Sequence, residues 1–195
     1  MLDKNPNRIL GIDFMLIQSE FSLSSPNIIL CSNPFLKTEF LRRFIDSSDI
    51  PVFFLDFDLL YSGYVSSGLV ENNDNVTIFR PNKTRLLKDL KTIVEKISNE
   101  RIFLIIDSFN GLYNMFDELE SIRFINAIIM LLSTVGKHKD SVILVSALAR
   151  KNDVGNWIIS PGGRHLVDSK KLRMYYLTMS DGVINLNPTK SKLSV

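Results

Sequence analysis

An α/β domain on a mainly parallel sheet is predicted by three observations. Short apolar runs alternate with helix-patterned segments along the chain. The runs are apolar at nearly every position rather than at every second one. The one clear hairpin signal lies near the C-terminal end. Runs without alternation belong to strands buried on both faces, which is how parallel strands sit when helices cover each side of the sheet.

The elements follow in chain order. Asn27 to Cys31 is the first buried run, and residues 36–46 place Phe40, Leu41, Phe44 and Ile45 on one helical face. Val52 to Leu55 is a second run, ending in Asp56-Phe57-Asp58, and Val76 to Phe79 is a short strand closed by Pro81. Residues 83–98 read as a helix through Leu86, Leu87, Leu90, Ile93, Val94 and Ile97, with Lys and Glu opposite. Ile102 to Asp107 is a third buried strand ended by a carboxylate. Residues 118–135 read as a helix through Ile122, Ile125, Ile129 and Leu132, and Val142 to Val145 is a fourth buried strand. Residues 148–165, with Gly155, Pro161, Gly162 and Gly163, read as the longest loop, and long loops in compact domains are usually functional or disordered. Met174 to Thr178 and Val183 to Leu186 flank Ser180-Asp181-Gly182, a hairpin turn.

Composition narrows the function classes. The chain has 195 residues, 45% hydrophobic and 23% charged, which suits one domain with a full core and excludes a coiled coil or a disordered chain. The expected organisation is a single domain over residues 1–195, with 1–7 and 189–195 as flexible tails. No apolar run approaches the length of a membrane span, and the N-terminus carries no signal-peptide pattern. A single cysteine, Cys31, and two histidines, His138 and His165, leave no material for an internal disulfide or a Cys/His metal site, so a reducing cytoplasmic setting is expected. Net charge is +2 but uneven: residues 150–195 carry +5 and residues 1–149 carry −3. The basic quarter suits contact with an anionic partner; it also suits a merely solvated surface.

In an open parallel sheet, ligands bind beyond the carboxyl ends of the strands. Cys31 to Thr38 lies there, between strand and helix, with Lys37-Thr38 where a phosphate-binding loop G-x-x-x-x-G-K-[ST] has its Lys and hydroxyl. Cys31 and Leu36 occupy the two glycine positions, and Pro34 lacks an N–H, so the backbone is poorly suited to cradle phosphates. The other reading is an ordinary strand–helix connection in which Lys-Thr is accidental. Asp107-Ser108 can hold magnesium through water or simply cap a turn. Asp56-Phe57-Asp58 can polarise water or be a solvated turn. Ser146-Ala147-Leu148 offers little polar chemistry. Trp157, amid Arg150, Lys151 and Arg164, can stack on a nucleobase or anchor its loop from within.

Together these segments resemble the RecA/RadA superfamily of recombination ATPases, above all its short archaeal RadB-like and KaiC-like members. The resemblance spans about residues 8–187. Arg8 to Asp13 is similar to the family's lead-in to the phosphate loop, Val52 to Asp58 to the strand that carries the catalytic Glu, and Ile102 to Ser108 to the Walker B strand. Pro161-Gly162-Gly163-Arg164-His165-Leu166-Val167-Asp168-Ser169-Lys170 resembles the segment that ends the second DNA-binding loop. The resemblance implies a three-layer RecA-like P-loop NTPase fold, mainly parallel with a C-terminal antiparallel hairpin, in which the 142–147 strand lies between those at 28–32 and 102–107. It implies nucleotide contacts from Lys37, Thr38 and Asp107, magnesium held by Asp107 through water, and Asp58 at the catalytic carboxylate. DNA contacts would come from Arg150, Lys151, Trp157, Arg164, Lys170 and Lys171, with single strands favoured.

Three departures bear on activity. The loop glycines are replaced, Asp58 is shorter than the family's Glu, and Ser146-Ala147-Leu148 stands where the family has a nucleotide-sensing Thr-Asn-Gln. Three parts of one ATP machine weakened together favour a non-catalytic paralogue with no cofactor, acting as a DNA-binding or assembly module in DNA recombination or repair. Its expected partner is a RecA/RadA-like protein or a second copy, with no membrane. The alternatives are a divergent active ATPase using ATP and Mg2+, and a regulatory Elongator-like subunit without DNA contact.

Overall fold

A computed structural model describes residues 20–188 except 22, 24, 117–119, 154, 156 and 161–171. The lead-in at Arg8 to Asp13, the Pro161 to Lys170 motif, and with them Arg164, Lys170 and Lys171, lie outside the described residues.

The apolar runs become strands: β1 (Asn27–Cys31), β2 (Val52–Asp56), β3 (Val76–Phe79), β4 (Phe103–Asp107) and β5 (Val142–Lys151), followed by β6 (Trp157–Ile159), β7 (Arg173–Ser180) and β8 (Val183–Pro188). The helices are α1 (Pro34–Asp46), α2 (Leu60–Ser66), α3 (Leu86–Asn99), α4 (Phe109–Asn114) and α5 (Glu120–Gly136). The sheet runs β3-β2-β4-β5-β1-β7-β8, with β6 paired to β5 off this path. Pairings from β3 through β7 are parallel, and β7–β8 closes the edge as an antiparallel hairpin. The expected placement of the 142–147 strand is met: β5 pairs with β1 on one side and β4 on the other.

Period-two alternation sends neighbouring strand residues to opposite faces, and both faces are buried. Ile28, Leu30, Leu104, Ile106, Ile143 and Val145 pack under Ile93 and Ile97 of α3 and Ile125, Ile129 and Leu132 of α5. Ile29, Phe54, Ile105 and Leu144 pack under Phe40, Leu41, Phe44 and Ile45 of α1. Phe44 meets Phe103 edge-on at 4.9 Å and Tyr61 of α2 stacks on Phe54 at 4.6 Å, geometries that add to simple burial. The result is helix, sheet, helix in three layers.

Three local differences from the sequence reading have identifiable causes. Helix α3 begins at Leu86 rather than 83 because the Asn82 side chain accepts from the Thr84 and Arg85 N–H groups and holds 82–85 as a turn. Leu87 then falls off the apolar stripe and is 71% exposed. The segment read as a loop from 148 is in part a second hairpin. Strand β5 continues to Lys151 and β6 returns against it, pairing Ala149 with Ile159, Arg150 with Ile158 and Lys151 with Trp157. Leu148, Ala149, Trp157, Ile158 and Ile159 supply apolar strand material, and Gly155, at φ +83°, supplies the left-handed position in the turn. No helix among the described residues is long and apolar enough to cross a membrane.

Candidate functional site

The polar residues gather at the carboxyl ends of β1, β2, β4 and β5. Strand β1 ends at Cys31, and helix α1 begins only three residues later at Pro34. The turn between them is held locally. The Cys31 thiol donates to the Asn33 carbonyl at 3.0 Å, and the Asn33 side chain accepts from the Phe35 and Leu36 N–H groups at 2.8 and 3.2 Å. Asn33 is therefore the N-cap, and Pro34 takes the first helical position, where its missing N–H is no loss. Most of the Cys31–Thr38 window is helix, and the N–H groups of its first turn are turned to the chain's own side chain. Phe35 is 67% exposed, while Leu36 packs into the α1-side core.

Lys37, one turn into α1, is 1% exposed. Its Nζ lies 2.6 Å from Asp58 Oδ2 and 2.6 Å from Asp107 Oδ1. Burial works against its charge, but the two carboxylates outweigh it and hold its pKa above the ordinary lysine value. Thr38, also buried, donates its hydroxyl to the Pro34 carbonyl at 3.0 Å. Neither Lys37 nor Thr38 presents its polar group to the cleft beside them.

The two carboxylates are fixed by the sheet. Asp56 and Asp107 are register partners at the ends of β2 and β4, and the Asp107 carbonyl accepts from the Phe57 and Asp58 N–H groups at 2.6 and 3.2 Å. That bond turns the chain after β2 so that Asp58 faces Lys37. Ser108 Oγ donates to Asp58 Oδ1 at 2.9 Å and accepts from the Gly111 N–H, capping α4. Ser146 Oγ donates to Asp107 Oδ1 from β5. Burial raises the Asp107 pKa, against the pull of Lys37 and Ser146. Asp56 is fully buried; its Oδ2 accepts from the Ser62 N–H at 2.7 Å, its Oδ1 has no hydrogen-bond partner, and burial raises its pKa. Cys31 is buried and its pKa is raised by desolvation, the state of an unreactive thiol.

The structure brings Lys37, Asp58 and Asp107 together, and places the described basic candidates, Arg150 and Lys151, on another element. Arg150 and Lys151 are exposed on the β5–β6 hairpin. Trp157 is 9% exposed, with Tyr176 at 5.7 Å between ring centroids and Lys151 Nζ at 5.6 Å from its own. Trp157 is thus enclosed on its hairpin, with the exposed Lys151 over its ring. Sequence reasoning missed three residues. Ser146, whose segment offers little polar chemistry by sequence, is a direct partner of Asp107. Ser108, which the sequence marks only as the neighbour of Asp107, ties Asp58 to α4. Asn110 carries no motif signal, yet its amide accepts from the Leu148 N–H at 2.7 Å and donates to the Leu148 and Ser160 carbonyls, clamping the hairpin base to α4. A polar residue just inside a helix after a strand-ending carboxylate is the only sequence hint of it.

A cleft of about 660 Å³ opens beside the cluster, walled by Phe35, Phe57, Leu60 and Leu148, with Asp58 and Asn110 among its polar lining. Among the described residues no group of three or more His, Cys, Asp or Glu is placed to hold a metal ion.

No protein-family model matches the sequence, and no curated protein matches it. Solved structures do. The RadB recombinase matches with a TM-score of 0.54 at 11% identity, over 88% of this chain and 84% of that one. An ATPase domain matches with a TM-score of 0.53 at 11% identity, over 82% and 71%. At this identity the likeness establishes the fold, which is RecA-like.

Proposed function

We propose that this RecA-like domain works without ATP hydrolysis, as a DNA-binding or assembly module in DNA recombination or repair. One observation carries the reading. The lysine at the phosphate-loop position is buried between Asp58 and Asp107, each 2.6 Å from its ammonium, instead of facing the cleft. Three others support it: the helical first turn capped by Asn33, the inward hydroxyl of Thr38, and the exposed Phe35 at the cleft. The RadB recombinase among the structural neighbours supports a recombination setting, and exposed Arg150 and Lys151 support an anionic partner.

A divergent ATPase is the second reading, favoured by the convergence of Lys37, Asp58 and Asp107, the residues it would use. The two separate in one experiment: phosphate release and thermal stability measured with and without magnesium and ATP. The expected result is no release above blank and no rise in Tm. Turnover that disappears in a folded Lys37→Arg variant overturns the proposal. A mobility-shift titration at low salt then tests the DNA arm. Binding by the hairpin should weaken with salt by a log–log slope of about −0.7 per phosphate contact on single strands. Charge reversal of Arg150 and Lys151 should reduce that slope. No shift leaves assembly alone, as expected of a partner subunit without DNA contact.

A further inference from the structure

Leu148 of β5 and Ser160, which follows β6, wall one side of the cleft. They meet at the hairpin base, where the Ser160 N–H donates to the Leu148 carbonyl at 2.9 Å. Alternation puts the residues two further along each strand on the same face. These are Arg150 on β5 and Ile158 on β6, and they are register partners. Ala149, Lys151, Trp157 and Ile159 take the opposite face, in keeping with the Lys151 ammonium over the Trp157 ring. Exposed Arg150 therefore stands on the cleft side of the hairpin. It lies roughly 7 Å beyond Leu148 along the strand, a step of the same order as that from a nucleobase to its own phosphate.

The lining limits what can enter. Phe35, Phe57, Leu60 and Leu148 are apolar, and Phe35 offers a ring that is 67% exposed. Two of the polar groups between them are committed. Asp58 has Lys37 on one oxygen and Ser108 on the other, and Asn110 spends its amide on Leu148 and Ser160. The described lining holds no lysine, arginine or histidine, and Lys37 is enclosed beside it. A phosphate inside the cleft would find no counter-charge. A flat uncharged ring finds an aromatic face and apolar walls, and stacking needs no directed hydrogen bond. The phosphate next to that ring would reach Arg150, whose planar fork suits it. An apolar peptide side chain would use the walls and leave Arg150 idle.

We propose that the cleft takes one base of a single-stranded nucleic acid, stacked on Phe35, with the adjoining phosphate on Arg150. This rests on the DNA-binding arm of the reading above and names where the strand is held.

The test uses the 15N-labelled full chain at low salt. It is titrated with a short oligothymidylate, with the same strand lacking its bases, and with N-acetyl-phenylalanine methylamide. The intact strand should shift the Leu60, Gly111 and Arg150 amides saturably. The abasic strand should bind at least about fivefold more weakly and leave Leu60 and Gly111 unmoved. Phe35→Ala, at an exposed position, should weaken the intact strand about fivefold or more and the abasic strand not at all. Arg150→Gln should weaken both and lower the log–log salt slope of each by about 0.7. Equal binding of intact and abasic strands, with the cleft amides unmoved, overturns the proposal and leaves DNA binding by the chain standing. No binding of either strand overturns it together with the DNA-binding arm. A phenylalanine probe that shifts the cleft amides at lower concentration than the intact strand overturns it in favour of an apolar peptide site.

Discussion

Lysine stands at two places in this chain that the sequence marks for anion binding, and the two have opposite fates. Lys37 is enclosed, with Asp58 and Asp107 on its ammonium. Lys151 is exposed on a hairpin, its Nζ 5.6 Å above the buried Trp157 ring. One charge is a structural part of the strand ends; the other is free to meet solvent or a partner. Residue type is the same in both cases. What separates them is whether neighbouring strands deliver carboxylates to the same point.

The widest test of this contrast is a pair of truncations. Lys37→Met should destabilise the fold by about 3–5 kcal/mol, because it strands two carboxylates in a buried site. Lys151→Met should change stability by about 0.5–1 kcal/mol at most, the value of an exposed cation–π contact. Chemical denaturation reads both, and similar losses would erase the distinction.

A smaller effect sharpens the enclosed side. Gly111 has no room for a side chain: a Cβ there would lie 2.5 Å from Asp58 Oδ1 and 2.8 Å from Phe57 Cβ. Gly111→Ala should destabilise by about 1–3 kcal/mol, an overpacking penalty, and should push Asp58 off Lys37. Normal stability with an unchanged Asp58 side-chain carbon shift would show that the turn after β2 is less firmly set than its hydrogen bonds indicate.

The smallest effect concerns pH. Burial raises the Asp56 pKa, so its ionised form is disfavoured in the folded state relative to the unfolded one. Its folded pKa therefore lies above its unfolded pKa, and its contribution becomes less favourable as pH rises through that folded value. Asp56→Asn, which keeps an acceptor for the Ser62 N–H, should stabilise the protein by about 1 kcal/mol at neutral pH. The gain should shrink as pH falls through the raised carboxyl range and vanish below the ordinary one. A stabilisation that is the same at pH 4 and pH 7 would remove titration of Asp56 as its source.

How much of this was legible follows the range of the forces involved. The four buried runs, the amphipathic helices and the C-terminal hairpin are written in local periodicity, and strand-ending Asp56 and Asp107 could be read as strand-end polar groups. Helix α2 was not legible. It is short, contains Gly63, and is entered through Leu59 at φ 58°, with Asp56 rather than a local cap supplying a bond to the Ser62 N–H. Strand β6 has three residues and takes its identity from pairing with β5. The burial of Lys37 depends on side chains 21 and 70 positions away, and no window around residue 37 contains that information.

The position of β1 has a consequence for the making of the chain. Its neighbours in the sheet are β5 and β7, with Asn27 aligned to Leu144 and to Arg173. An emerging chain therefore presents the Ile28-Ile29-Leu30 run long before either partner has been synthesised. At ribosomal speeds of about 5–20 residues per second, the gap to Leu144 is roughly 6–23 s, during which this apolar strand has both edges open. Helix α1, next in sequence, is the first element able to cover one face of it in that interval. This interior strand of the finished sheet thus waits long for its partners during translation, and mutations that weaken α1 should show themselves first as lost yield in cells rather than as lost stability of the protein that survives.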